Sequence, residues 1–263
     1  MKVILSRKGF DSNNGGIPSP IFSDGTLLSM PIPSIYGKPY SEMYYKKQSY
    51  ANILSNLGYK GKIHSGHLDP DIRPGVFSAY SESWKPLFGQ VLQAQGVLRN
   101  RGVTIGDLFL FFGTFMDANS NFHYIIDRLP KHVLFGYFQV GEIITDPSEI
   151  TKFTWHPHAQ MTGLTNNTIY VSSKNLSLNM KLPGAGVLDY QEELVLTKEG
   201  KKWYVWDESR FPFLKQEYLY SSRRRYDESD GGIVIADKTG QEYVYRESAE
   251  ITDWARRIIS NNY

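Results

Sequence analysis

Gly106-Asp107-Leu108-Phe109-Leu110-Phe111-Phe112-Gly113 and, further along, Val133-Leu134-Phe135-Gly136-Tyr137-Phe138-Gln139-Val140-Gly141-Glu142 are the two stretches on which the fold turns. Leu108 to Phe112 is apolar at every position, so a strand there must be covered on both faces. The second stretch predicts a long strand over 133–144, rich in the aromatic residues that suit a pleated, half-buried surface. Between them, the polar run 116–121 reads as a hairpin turn and 123–128 as another strand.

Working outward, residues 2–5 form a short buried first strand, followed by a loop rich in glycine, asparagine and serine from Ser6 to Gly16. Pro18, Pro20, Pro31 and Pro33 keep the chain extended through Ile35, because proline interrupts helices. Apolar spacing predicts helices over 40–57, ending at Gly58, and over 88–101, stopped by Gly102. Later strands are expected at 168–172, 193–197, 203–206, 232–236 and 242–245, with a turn at 182–186. An amphipathic helix over 251–259 closes the chain, with Trp254, Ile258 and Ile259 as its stripe. The sum is a mixed, strand-rich α+β protein whose centre is a β-barrel or a strongly bent sheet with flanking helices. Residues 1–263 read as one domain, with a soft boundary near residue 100 between a loop-rich lobe (1–100) and a β-rich part (101–263).

Of the 263 residues, 41% are hydrophobic and 21% charged, which supplies an ordinary globular core. There is no cysteine, which excludes disulfides, thiolate zinc sites and a cysteine nucleophile. A net charge of +2 is too small to be a nucleic-acid footprint. No segment has the length of a membrane span or of a secretory signal, so a cytoplasmic location without membrane contact is the expectation. No feature specifies an oligomeric state.

Four constellations carry candidate chemistry. In the first loop, Arg7, Lys8, Asp11 and Ser12 offer two cations, a carboxylate and a hydroxyl for a phosphate or ribose, although the loop matches no phosphate-binding fingerprint. The plain alternative is a solvated turn bonded to its own backbone. His67-Leu68-Asp69-Pro70-Asp71 places three polar groups at a period of two, on one side of an extended segment. They can bind a divalent metal or work as general base and orienting acid; the alternative is a capped turn in which a carboxylate holds Arg73. His156-Pro157-His158 can add metal ligands, or simply end a strand with Trp155 in the core. Gln241-Glu242 on a late strand reads as a solvated face, or as the carboxylate of a nucleotide-dependent transferase resembling ADP-ribosyltransferases, with Arg7 holding phosphate. Gln90 and Gln95 have amides of the kind that read base edges. Arg223-Arg224-Arg225 between Tyr220 and Tyr226 mixes basic and aromatic groups as a phosphate-and-base surface does, or as a basic turn does.

Several of these blocks together resemble nucleotide modification associated domain 3. They are Ser6 to Ser12 with Gly16, Pro18-Ser19-Pro20-Ile21, Pro31-Ile32-Pro33, His67 to Asp71, Phe88-Gly89-Gln90 with Ala94-Gln95, Gly106 to Gly113, His156-Pro157-His158 and Gln241-Glu242. The resemblance implies work on nucleotides or DNA bases in phage or bacterial modification and defence systems. The Gly-Asp before an apolar strand, with 135–142 after it, is also similar to the core of PUA-like barrels of the EVE, ASCH and YTH kind. These imply an aromatic pocket for a modified base.

Three readings follow. An enzyme acting on a nucleotide or exposed base would use His67, Asp69, Asp71, Asp11 and Glu242 as catalytic groups and Arg7, Lys8, Ser12, Gln90, Gln95 and Gln241 to bind the nucleotide. Its metal, if it uses one, would be held among His67, Asp69, Asp71, His156 and His158, and its partner is a nucleotide or nucleic acid, DNA ahead of RNA. A reader of modified bases would need an aromatic cage and no clustered carboxylates with perturbed pKa values. A partner protein in a modification operon would need no pocket. The enzyme reading predicts that residues from separate loops meet in one cleft.

Overall fold

The computed structural model describes residues 1–77, 84–210, 225–227, 232–234 and 242–263, with 225–227 and 232–234 as backbone strands only. The principal elements are β1 (Val3–Arg7), β2 (Ser19–Ile21), β3 (Ile32–Pro39), α1 (Tyr50–Asn56), β4 (Ser65–His67), β5 (Leu87–Gln90), α2 (Leu92–Asn100), β6 (Leu108–Asp117), β7 (Lys131–Ile144), β8 (Thr168–Ser172), β9 (Ala185–Val187), β10 (Glu242–Val244) and α3 (Ala249–Ser260). The main sheet runs in the order β10-β1-β6-β7-β8-β5. Only the β1–β6 pair in this series is parallel; β2 adds a parallel stretch to the end of β6, and β9 pairs with the middle of β7.

The apolar run of β6 has the two covered faces its composition requires. Phe109 and Phe111 meet Phe88, Tyr170 and Phe138 on one side, while Phe112 meets Trp206, His132 and Tyr243 on the other. The Phe88 and Phe109 ring centroids lie 4.8 Å apart, although β5 and β6 are three strand positions apart. In a flat sheet three spacings would separate them by about 14 Å. Likewise, Gln90 on one edge strand donates from Nε2 to Glu242 Oε1 on the other edge, where a flat sheet would leave about 24 Å. The sheet is therefore rolled until its edges meet. They meet through side chains; among the described residues no backbone ladder joins β5 to β10 and no closed barrel forms. Of the two expected forms, the strongly bent sheet is the one present, and the mixed α+β class holds.

The sheet takes strands from both sides of residue 100, with β1 in register against β6 from Val3–Leu108 to Arg7–Phe112. A second apolar cluster under the first hundred residues gathers Phe10, Met30, Tyr40, Tyr50, Ile53 and Leu54. At the C-terminus α3 buries Ile251, Trp254, Ala255, Ile258 and Ile259, so the stripe read from its spacing is the face it packs.

Several local expectations are corrected. The helix expected over 40–57 is confined to Tyr50–Asn56, capped by Ser49, whose hydroxyl accepts from the Asn52 N–H at 3.3 Å. Ahead of it lie one helical turn and a two-residue hairpin that reverses through Lys46 at φ 54°. The helix expected over 88–101 begins only at Leu92, since Leu87–Gln90 completes the sheet. Residues 123–128 form a loop with a single bridge between Ala118 and Tyr124, because β6 runs on to Asp117 and pairs directly with β7. Residues 192–194 make a helical turn, and Pro183 and Ala185 sit in strands on either side of Gly184. The late strand expected at 232–236 is present over Gly232–Val234, and residues 235–236 lie outside the described residues.

Phe88 is the ring around which the roll closes. Phe88→Ala is expected to lower unfolding free energy in chemical denaturation by about 3–5 kcal/mol. Ile126→Ala, at a position 85% exposed, should change it by less than about 0.5 kcal/mol.

Candidate functional site

The polar groups gather where β1, β5 and β10 end together. Alternation along β1 sends Ser6 toward the inside of the roll, and its hydroxyl donates to Glu242 Oε1 at 3.0 Å. Gln90 donates to the same oxygen, and Lys8 Nζ lies 3.5 Å from it and 4.6 Å from the centre of the Phe88 ring. Glu242 is buried, and burial raises its carboxyl pKa; Lys8, Ser6 and Gln90 pull in the opposite direction.

Beside this group stands Asp69, two residues beyond the end of β4. Its Oδ1 accepts from the Gly89 N–H at 2.6 Å and lies 3.5 Å from His156 Nε2. Its Oδ2 lies 3.9 Å from both His67 Nε2 and His158 Nε2. Pro157 opens a single helical turn, with His156 as its cap and the His158 N–H facing His156 Nδ1 at 3.4 Å, so the dipeptide step turns both rings toward one carboxylate. Gly89 is needed at this spot, since a β-carbon on it would overlap the His158 ring. His158 Nδ1 is held by Asn167 Oδ1 at 2.7 Å. Burial pushes His67 down to about 4 and His158 down to about 3, with Asp69 opposing both shifts. For Asp69, burial alone would raise the carboxyl; His156, Lys8 and His158 outweigh it and hold it below the usual carboxylate range.

A cavity of about 330 Å³ brings together Lys8, His67, Asp69, Gln90 and His158, with Arg7 and Asp11 in its wall. Arg7 is paired with Asp11 at 3.1 Å and packs over Trp203 at 5.3 Å. Asp11 also accepts from the Asn13 and Asn14 N–H groups at 2.7 Å, which is the self-bonded turn weighed for this loop. Ser12 is exposed and does not line the cavity. Asp71 is not brought in: its carboxylate accepts from Trp84 Nε1 at 3.0 Å and its backbone pairs with Leu87. Gln95 accepts from the Tyr170 hydroxyl at 3.0 Å and lines a different cavity, of about 480 Å³, with Arg99 and Asn166. Glu242 stands behind Lys8 and Gln90, one contact from the cavity. Gln241 lies outside the described residues, as do residues 220–224, and the side chains of Arg225 and Tyr226 are not described either. Two contributors were not anticipated from the sequence. Asn167 sits in an Asn-Asn-Thr run that reads as a turn, and Ser6 looked like the first residue of a loop.

The histidine shifts make the fold acid-sensitive. The unfolded chain protonates these rings near pH 6.5, the folded chain only near 4 and 3. Below 6.5 the unfolded state therefore binds more protons, and stability falls with pH. In chelator, the melting temperature should drop between pH 6.5 and 4, and a His67→Gln, His158→Gln pair should flatten that slope. An unchanged slope would remove these rings as its source.

The model of the family described as nucleotide modification associated domain 3 matches residues 2–246. No curated protein and no solved structure matches the chain. The matched span contains β1 to β10 and every cavity residue described above. By that match this chain belongs to the nucleotide modification associated domain 3 family.

Proposed function

We propose that this chain is an enzyme that modifies a nucleotide or an exposed nucleobase held in the cavity beside Asp69. One observation carries this reading: Lys8 after β1, His67 at the end of β4, Asp69 beyond it, Gln90 on β5 and His158 before β8 all line one cavity. Burying a polar group costs free energy that a purely structural core avoids, so such a density of them favours a site with a task. The volume falls at the lower end of the range of small-molecule pockets, enough for a base with part of its sugar. Lys8 supplies the positive charge for a phosphate, the Gln90 amide can read a base edge, and Asp69 with its histidines forms the acid/base or metal-binding group. Duplex DNA, the nucleic acid favoured over RNA here, would have to present its base flipped out.

The alternative of a non-catalytic base reader is weaker, because among the described residues the cavity lining holds no Phe, Tyr or Trp to stack on a base. A transferase built on Arg7 and Glu242 is weaker still, since Glu242 is bonded to Ser6 and Arg7 is committed to Asp11. The test is mass spectrometry of nucleosides after incubation of purified protein with duplex DNA, single-stranded DNA, RNA or nucleotides. Divalent metals and common group donors are supplied in separate arms. A new mass is expected with the wild type, reduced at least about a hundredfold in His67→Ala, Asp69→Ala. No new mass in any arm, with retained binding to modified oligonucleotides, would overturn the enzyme in favour of the reader.

A further inference from the structure

We infer that His67 Nε2, Asp69 Oδ2 and His158 Nε2 are three ligands of one divalent transition-metal ion, and that His156 and Asn167 orient those ligands without touching the metal. This deepens the enzyme reading by naming the cofactor class of the same site.

Hydrogen bonding fixes which atoms are available. The Asn167 amide nitrogen donates to the carbonyls of His158 at 2.9 Å and Met161 at 3.3 Å, so its Oδ1 must face the His158 ring. An amide oxygen only accepts; His158 therefore carries its proton on Nδ1 and turns the Nε2 lone pair toward Asp69. His67 Nε2 also faces Asp69 Oδ2, at the same distance of 3.9 Å. The His158 lone pair and the His67 Nε2 thus face one carboxylate oxygen from 3.9 Å, too far for a hydrogen bond and a spacing that a cation between them would satisfy. Donor atoms bound at about 2.0–2.2 Å to a common ion are separated by about 3–4 Å. The three donor atoms here all lie within 4.8 Å of one another, which an ion would draw closer by small rotations of the side chains.

The rest of the group reads as support. Asp69 Oδ1 is occupied by the Gly89 N–H, and His156, whose Nδ1 faces the His158 N–H, has its proton on Nε2 toward that same oxygen. Such outer partners fix ligand tautomer and orientation. All three ligands line the same cavity as Lys8 and Gln90, so an ion they held would have room beside it for water or substrate, as in catalytic rather than structural sites. Two imidazoles and one carboxylate suit iron(II), manganese(II), cobalt(II) or zinc(II); magnesium and calcium prefer all-oxygen shells.

The test uses the full chain, stripped with chelator and titrated with zinc(II), cobalt(II), anaerobic iron(II), magnesium(II) and calcium(II) by calorimetry, with metal content by mass spectrometry. One transition-metal ion per chain is expected, without comparable binding of magnesium or calcium, and a cobalt(II) absorption spectrum of nitrogen and oxygen coordination. His67→Ala, Asp69→Ala and His158→Ala should each weaken binding by more than about a hundredfold, and His156→Gln by about ten- to a hundredfold. Gly89→Ala, which removes no ligand, should weaken it by crowding His158, and circular dichroism checks that each variant is folded. Folded wild type that binds no transition metal, or a folded His158→Ala that binds normally, would overturn the inference. Metal binding without any modified nucleoside would sink the enzyme reading and leave the metal site standing. Modification undiminished in chelator would do the reverse.

Discussion

The contact between Gln90 and Glu242 joins the two edges of the main sheet, and the rest of the molecule is arranged around the roll that makes it. A rolled sheet has an inside, and here aromatic rings fill it: Phe88, Phe109, Phe111, Phe138 and Tyr170 make a continuous set of edge and stacked contacts. The rings fill most of that space with apolar surface, and the Tyr170 hydroxyl is satisfied by Gln95. At one end, Glu242, Ser6, Gln90 and Lys8 cap the aromatic filling. The roll also explains why residues distant in the chain share a cavity, since β1, β5 and β10 would be spread across a flat sheet.

Burying Glu242 beside Asp69 is costly unless the charges are matched. Lys8 lies in the field of both carboxylates, and the neighbouring His67 and His158 rings are held in the neutral form by burial. Lys8 is the cation that both carboxylates share, and it sets the local balance of charge. A divalent ion beside Asp69 would tip that balance toward positive and give an anionic ligand a reason to enter, with Lys8 already at the wall.

What could be read from the sequence follows from how local each cause is. The β6 run and the α3 stripe announce themselves because burial of their own residues dictates them. The helix expected over 40–57 failed because Tyr44, Tyr45, Gln48 and Ser49 pair as a hairpin, a tertiary choice that apolar spacing does not register. Residues 88–91 were misread as helix because their apolar and amide side chains serve a strand, where Gly89 admits the His158 ring. In the site, His67 and Asp69 are visible as a pair two residues apart. Asp71 broke the pattern because β4 ends at His67 and the period of two has no strand to carry it. The two histidines around Pro157 were visible as a pair, but their different orientations depend on Asn167 and Gly89, which come from other segments and carry no local signal.

The glycine-rich loop after β1 shows how far a motif-like composition can mislead about roles. Arg7 and Lys8 are adjacent cations at one cavity, yet they take different partners: Arg7 packs over Trp203 and pairs with Asp11, while Lys8 reaches Glu242. Asp11 binds Arg7 and the backbone of its own turn together, which ties the loop to the end of β1. A guanidinium already paired and packed has little left to offer a phosphate, whereas Lys8 sits at the cavity and shares its charge with two carboxylates. The Arg7–Asp11 pair is therefore better understood as the clamp that fixes the strand end from which Lys8 projects.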